Sequence, residues 1–359
     1  MKKLFYLLSV FTIIFGIKIT SFDSLAVDDS PAVKGIYVSG PMAGTDNLDN
    51  LIELIDSTEL NTVVIDVKND DGQITYNMEL EALEDTGACT SFIGDADELI
   101  EKLKEHNIYT IARVVCFKDP ILAVKRPDLA LLKKDGTPVT DGNGLAWVNP
   151  YNTGVWKYIV DIACKAAEDG FDEVQFDYVR FPVGSDANQA SYGVAMNSNI
   201  KRHTIQSFLK YAVHRLHNEG ITVSADVFGT IIGNEVDENA VGQDYAALCE
   251  IVDAISPMIY PSHYGPGNFG LAVPDAQPYE TIKAAMEASV TELSGIDEAE
   301  RAIVRPWLQA FTATWVEGHI SYDGDAIRAQ IQGLYDAGYE EWILWNAANR
   351  YSSAGLLSE

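Results

Sequence analysis

Positive charge is scarce in this chain of 359 residues. Lysine and arginine together number 25, against 53 aspartate and glutamate residues, which gives a formal net charge of −28 at pH 7. Such an acidic chain repels polyanions at long range, so nucleic acids and anionic membrane surfaces are poor partners. We therefore expect a neutral or cationic partner.

Cysteine and histidine are also few, with four and six residues. The spacing of the cysteines matches no zinc pattern, and the histidines form no metal-ligand cluster in the sequence. A domain of this size needs no disulfide framework for stability, so we expect none, and Cys116 and Cys164 are expected to be buried free thiols. Neither a metal nor an organic cofactor is expected.

Long apolar runs are absent except near the N-terminus. Two lysines precede apolar residues 4–17, and segment 24–26 offers small residues for cleavage before Val27. This pattern predicts a signal peptide over residues 1–26, a linker over 27–34, and a secreted or envelope-associated protein. The run is shorter than the roughly 20 residues of a spanning helix, although a count extended to Ile19 leaves an uncleaved anchor open.

From residue 35 onward, strand-like segments alternate with amphipathic helix-like segments. Strands are predicted at 35–39, 62–68, 109–117, 171–182, 222–228, 254–260, 304–311 and 341–347. Helices are predicted at 48–60, 95–107, 152–169, 197–219, 243–251, 278–293 and 323–337. Eight such units predict a single-domain α/β fold over residues 35–359, a (β/α)₈ TIM barrel.

A doubly wound open sheet is the alternative architecture. It would require a phosphate-binding turn after the first strand, and the turn at residues 39–44 is not of that kind. Residues 265–270 do fit the glycine spacing of a dinucleotide-binding motif, but they lead into Pro274 and not into a helix. We therefore interpret them as a loop.

Two aspartates end neighbouring predicted strands, Asp177 on the fourth and Asp226 on the fifth. Catalysis in (β/α)₈ barrels occurs at the C-terminal ends of the strands. Cleavage of a glycosidic bond needs one acid to protonate the leaving oxygen and one carboxylate to attack or to activate water. Asp177 and Asp226 are therefore the candidate catalytic residues. In the alternative interpretation, Asp177 is held only by backbone amides and Arg180, and Asp226 only orients a basic residue.

Further polar and aromatic residues at the strand ends are candidates for substrate binding. Flat aromatic faces suit sugar rings, and a cation near Asp177 would keep that carboxylate ionised. We assign the second task to Arg113, while Asp66 could instead be a structural partner of Lys68 or Arg113. The candidate substrate-binding residues are Asp66, Arg113, Arg180, Tyr260, His263, Trp345 and Asn346.

Several segments also resemble one known family. They are residues 112–120 (ARVVCFKDP), 126–130 (RPDLA), 144–151 (GLAWVNPY), 170–182 (GFDEVQFDYVRFP) and 344–347 (LWNA). They are similar to the putative glycosyl hydrolase domain of exported bacterial proteins, and the resemblance extends from residue 34 to about 353.

This resemblance implies a (β/α)₈ barrel related to α-amylase-like retaining glycosidases. In those relatives, an aspartate at the end of the fourth strand is the nucleophile, which is the position of Asp177. Their acid/base is usually a glutamate on the fifth strand, where this chain has the shorter Asp226. The resemblance thus implies a carbohydrate substrate and the same two carboxylates.

We therefore expect an exported glycoside hydrolase that cleaves a neutral or cationic poly- or oligosaccharide by a retaining two-carboxylate mechanism. The alternative is a non-catalytic glycan-binding barrel of the cell envelope, which the missing strand-five glutamate favours. A polysaccharide lyase or deacetylase is a second enzymatic alternative, but a deacetylase would need metal ligands that the sequence lacks.

The N-terminal pattern makes a direct prediction about the mature chain. Because cleavage is expected after Ala26, protein recovered outside the cytoplasm should begin near Val27. N-terminal sequencing or intact-mass spectrometry measures this. An intact Met1 on membrane-bound material would show instead that the segment is a retained anchor.

Overall fold

The computed structural model describes residues 32–358, which form one compact unit. Its strands are β1 (Lys34–Val38), β2 (Thr62–Lys68), β3 (Tyr109–Val115), β4 (Leu132–Lys133), β5 (Glu173–Asp177), β6 (Ala190–Ser191), β7 (Thr222–Phe228), β8 (Ala254–Ile259), β9 (Ile303–Val304), β10 (Trp307–Gln309) and β11 (Trp342–Trp345). The predicted signal peptide and the linker up to residue 31 lie outside the described residues.

The helices lie between these strands. They are α1 (Gly40–Ala43), α2 (Asn47–Asp56), α3 (Ala96–Glu105), α4 (Pro120–Lys125), α5 (Thr153–Glu168), α6 (Ser198–His217), α7 (Glu235–Val241), α8 (Tyr245–Cys249), α9 (Pro278–Leu293) and α10 (Gly324–Asp336). None of the helices in the described range is long and apolar enough to cross a membrane.

The main sheet closes on itself. Its strands follow the order β10-β11-β1-β2-β3-β5-β7-β8-β9, and β8 also pairs with β10, which joins the two ends. Every pairing in this sheet is parallel, as the intervening helices require. The predicted (β/α)₈ barrel is confirmed, with β9 and β10 together in the seventh position.

Two strands differ from their predicted bounds for identifiable reasons. The seventh was predicted as one strand over 304–311 but is split into β9 and β10 at Pro306, which has no N–H to donate to a neighbouring strand. The fourth was predicted over 171–182, yet β5 ends at Asp177. The next residue, Tyr178, has a φ of 50°, which ends the extended conformation.

Several helices begin at capping side chains. Asp95 accepts a hydrogen bond from the backbone N–H of Glu98 at the start of α3, and Asn152 accepts one from Gly154 at the start of α5. Such caps satisfy N–H groups that have no partner within the helix. After α5, Gly170 adopts a φ of 103° and turns the chain into β5. Each cap therefore sets where the helix begins relative to the strand that follows.

Alternation along the strands divides the core into two parts. The larger part lies between the strands and the surrounding helices. The smaller part fills the barrel interior and includes Val64, Ile111, Trp307 and Ile343. The cysteines belong to the larger part or its margin and are free, and Cys116, Cys164 and Cys249 are buried.

A buried ion pair closes the N-terminal end of the barrel. Glu173 at the start of β5 accepts hydrogen bonds from Arg305 Nη1 at 2.9 Å and 3.0 Å, and from the hydroxyl of Ser224. Arg305 also donates through Nε to Glu341 at 2.7 Å. These contacts join residues of β5 and β7 to the segments that precede β10 and β11, and so hold this end shut.

Removing the cation of this pair should destabilise the fold. Arg305→Leu leaves Glu173 buried and charged without its partner, so the free energy of unfolding should fall by about 3–5 kcal/mol. Urea denaturation measures the loss. The additional change Glu173→Leu should recover part of it, because the unpaired charge is then gone.

Arg301→Leu is the matched control, since Arg301 pairs at 3.4 Å with Glu298, whose side chain is 89% exposed. Its loss should stay below about 1 kcal/mol. Equal losses for the two arginine variants would contradict a special role for the buried pair.

Candidate active site

Arg113 joins two carboxylates at the C-terminal end of the barrel. Its Nη1 donates to Asp66 Oδ1 at 2.5 Å, while Nε and Nη2 donate to Asp177 Oδ2 at 3.0 Å and 2.5 Å. The three residues lie on the adjacent strands β2, β3 and β5, and all are buried. The structure thus brings the sequence-predicted Asp66, Arg113 and Asp177 together, with Arg113 between the two acids.

Tyr37 completes this group from β1. Its hydroxyl donates to Asp66 Oδ2 at 2.6 Å, so both oxygens of that carboxylate are engaged. Burial raises the pKa of Asp66, and the Arg113 charge opposes this effect. Tyr37 was not predicted as a site residue, although alternation along the first strand could have placed its side chain inside the barrel.

Asp177 is held rigidly by its neighbours. While Arg113 bonds its Oδ2, its Oδ1 accepts a hydrogen bond from the backbone N–H of Tyr178 at 2.5 Å. That N–H belongs to the residue with φ of 50°, an unusual conformation for a bulky side chain. The backbone turn and the guanidinium together fix the orientation of the carboxylate.

Arg180 has a different environment from the one considered in the sequence alternative. Its guanidinium carbon lies 4.9 Å, 5.2 Å and 4.5 Å from the ring centres of Trp147, Tyr178 and Phe228, and it donates to the carbonyl of Phe181. Burial lowers its pKa. The ion-pair partner of Asp177 is therefore Arg113, the residue assigned to it from the sequence, and not Arg180 as in the alternative interpretation.

Asp226 on β7 has a different electrostatic environment from Asp177. It is 1% exposed, its Oδ1 accepts a hydrogen bond from Trp307 Nε1 at 2.7 Å, and its buried Oδ2 has no partner among the described residues. Burial and then the negative charge of Asp177 raise its pKa well above the usual range. Both causes favour the protonated form of the Asp226 carboxyl group.

Aromatic residues form the walls around these groups. Trp345 packs against Tyr37 at 4.1 Å between ring centres and meets Trp307 edge-on at 5.5 Å. Tyr260 is buried, and its ring contacts that of His263 edge-on at 5.1 Å. His263 itself is exposed, at the outer edge of the site. The predicted aromatic residues thus lie where a sugar ring could meet flat apolar faces.

Asn346 is occupied by the backbone. Its Nδ2 donates to the carbonyls of Ala310 and Arg350 at 2.7 Å and 3.0 Å, and its Oδ1 accepts from the N–H of Ala348. The side chain therefore braces the loops after β10 and β11. Its predicted contact with substrate would require these bonds to break.

Metal ligands do not converge in the part of the chain that is described. Within residues 32–358, no group of three or more histidine, cysteine, aspartate or glutamate side chains could hold a metal ion.

The chain matches a known family over most of its length. The sequence profile of the family described as "Putative glycosyl hydrolase domain" matches residues 35–351. The chain belongs to this family. It is accordingly an enzyme of the glycoside hydrolase class. No curated protein matches the chain significantly.

Two solved structures that are 14% and 15% identical to the chain share its fold. The PgaB (BpsB) glycoside hydrolase domain from Bordetella bronchiseptica is 14% identical, with 88% of this chain and 94% of that one covered and a TM-score of 0.64. The α-galactosidase TtGalA from Thermus thermophilus, solved with stachyose, is 15% identical, with 91% and 64% covered and a TM-score of 0.56. A hypothetical protein from Ruminiclostridium thermocellum ATCC 27405 is 38% identical, with 54% and 97% covered and a TM-score of 0.49.

The raised pKa of Asp226 can be measured directly. In ¹³C NMR titrations of the side-chain carboxyls, Asp226 should deprotonate well above the ordinary value of about 3.9. Asp177→Asn should lower that pKa, because it removes a nearby negative charge, while burial still holds it above the ordinary value. The exposed Asp128→Asn is the control and should leave it unchanged. An unchanged titration in Asp177→Asn would contradict the coupling.

Proposed function

We propose that Asp177 is the nucleophile and Asp226 the general acid/base of a retaining glycoside hydrolase. The observation that carries this proposal is the opposed environment of the two carboxylates. Asp177 is clamped by a guanidinium, whereas Asp226 is buried beside Trp307 with one oxygen unbonded. A carboxyl group whose pKa is raised by burial, next to a carboxylate that a guanidinium holds in place, is suited to donate a proton while its neighbour attacks.

The first step breaks the glycosidic bond. Asp177 attacks the anomeric carbon while Asp226 gives its proton to the leaving oxygen, so a glycosyl ester forms on Asp177 and the aglycone departs. Trp307 holds Asp226 Oδ1, which leaves the unbonded Oδ2 as the oxygen that carries the proton.

The second step reverses the role of Asp226. Once Asp177 is an ester its negative charge is gone, and that charge is one cause of the raised pKa of Asp226. The pKa of Asp226 therefore falls at this stage, and its carboxylate can take a proton from water. The water oxygen attacks the anomeric carbon, Asp177 is released as a carboxylate, and the configuration of the sugar is retained.

The substrate that fits these features is a neutral or cationic poly- or oligosaccharide. A chain with a formal charge of −28 disfavours polyanionic glycans at long range. Tyr260 and Trp345 offer apolar faces to sugar rings, and His263 lies at the edge of the site. Arg180 and Asp66 contribute polar and charged groups nearby. The proposal includes export through the predicted signal peptide, which places the enzyme where extracellular or cell-wall glycans occur.

One observation favours a second candidate, a glycan-binding barrel without turnover. Asp226 is almost completely buried and is one methylene shorter than the glutamate of the glycosidases that the sequence resembles. If its carboxyl group does not reach the glycosidic oxygen, the site binds glycans without cleaving them.

Two substitutions separate the roles in the hydrolase. Asp177→Asn keeps the shape of the side chain but removes the nucleophile, so kcat should fall by several orders of magnitude while glycan binding persists. Asp226→Asn should affect glycosides with activated aryl leaving groups much less than natural glycans, because good leaving groups need little protonation. Steady-state kinetics on both substrate classes, after a screen of cell-wall and plant polysaccharides, provides the measurement.

Asp128→Asn is the matched control, because it makes the same chemical change at an exposed aspartate. NMR of the first-formed product should show the anomeric configuration of the substrate. Equal glycan binding by the wild type and Asp177→Asn, with no product from either, would refute the hydrolase mechanism and support the binding barrel.

A further inference from the structure

Trp315 is unusual among the tryptophans of this protein. The chain has six, and the other five are buried or half-buried, whereas Trp315 is 67% exposed. It lies in the loop between β10 and α10, on the same C-terminal side of the barrel as Asp177 and Asp226. An exposed indole contributes little to folding, but it offers a flat apolar face to a ligand.

The indole is connected to the active site through two other rings. Trp315 stacks on Phe311 with ring centres 6.0 Å apart and planes inclined by 21°, and Phe311 meets Tyr260 edge-on at 5.9 Å. Burial raises the pKa of Tyr260, and the negative charges of Asp226 and Asp177 raise it further. Tyr260 is therefore close to these two carboxylates. Tyr260, Phe311 and Trp315 therefore form a continuous aromatic strip from the carboxylates to the surface.

The loop that carries Trp315 is held in place by its own contacts. Ala313 is fully buried, and its carbonyl accepts a hydrogen bond from Val316 N–H at 2.9 Å. Further along, Tyr322 donates from its hydroxyl to the carbonyl of Asp275 at 3.0 Å. An indole displayed by an anchored loop loses little freedom when it binds a ligand, so binding is less costly.

We propose that the aromatic strip is an outer subsite that binds a pyranose ring of a neutral glycan chain. The inference rests on the proposed function, because the chain must enter at Asp177 and Asp226. The apolar face of a sugar would stack on the free face of Trp315, with the exposed Thr312 and Thr314 beside it for hydroxyl groups. The aromatic strip extends beyond the sugars that flank the scissile bond. The preferred substrate is therefore an oligo- or polysaccharide and not a monoglycoside.

The test compares chain lengths in Trp315 variants. The probes are cellotetraose, maltotetraose and chitotetraose, each with its p-nitrophenyl monoglycoside. In each sugar series that the enzyme cleaves, the preference is the kcat/KM of the tetrasaccharide divided by that of the monoglycoside. Trp315→Ala should lower this ratio by roughly three- to tenfold. Trp315→Phe should restore part of this preference. Leu357→Ala, which removes a side chain that is 57% exposed and lies beside Glu59 at the opposite end of the barrel, should leave the ratio unchanged.

Binding without turnover gives an independent readout. In the Asp177→Asn protein, a bound tetrasaccharide should protect tryptophan fluorescence from acrylamide, and Trp315→Ala should reduce this protection and weaken binding. Hydrolysis with an unchanged ratio in Trp315→Ala would overturn the subsite and leave the hydrolase intact. Trp315-dependent binding without hydrolysis would support the subsite and refute the hydrolase mechanism. Failure of all three tetrasaccharides to bind would overturn the subsite as proposed.

Discussion

The arrangement of charge around Arg113 constrains the whole C-terminal end of the barrel. Its guanidinium forms ion pairs with two buried carboxylates, Asp66 and Asp177. Asp226 lies close enough to Asp177 for the charge of Asp177 to raise its pKa. One positive charge cannot neutralise three buried acids, and unpaired buried charge is costly. Asp226 is not bonded by Arg113, and burial and the charge of Asp177 raise its pKa. The proposed division of roles between Asp177 and Asp226 depends on this imbalance of charge.

The two ends of the barrel differ in whether their buried polar groups have hydrogen-bond partners. At the N-terminal end, Glu173 and Arg305 satisfy each other with help from Glu341, so that end is closed and contributes to stability. At the C-terminal end, Asp226 Oδ2 has no partner in the described structure, and Tyr178 adopts a strained φ beside Asp177. Unsatisfied and strained groups of this kind cluster where a protein binds or reacts with a ligand. The contrast supports catalysis at the C-terminal end.

Much of the fold could be predicted because its signals are local. Strand β2 and strand β7 have the predicted bounds, 62–68 and 222–228, since apolar β-branched residues bounded by polar segments identify buried strands. Helix α9 also matches its prediction, 278–293. The split at Pro306 and the early end of β5 were missed, because interrupted pairing and a positive φ depend on neighbouring strands. The short elements α1, α4, α7, β4 and β6 were missed because a segment of so few residues shows no clear hydrophobic periodicity.

The sequence by itself determined the order of strands and helices and therefore which residues occupy strand ends. This was sufficient to select Asp66, Arg113, Asp177 and Asp226, because strand ends in a barrel of this type share one face. Only the tertiary structure showed that Tyr37 bonds Asp66 and Trp307 bonds Asp226, and it decided between Arg113, assigned from the sequence, and Arg180 as the partner of Asp177. The physical reason is that hydrogen bonds and pKa shifts depend on distances of a few ångströms between distant parts of the chain, and periodicity along the sequence carries no such information.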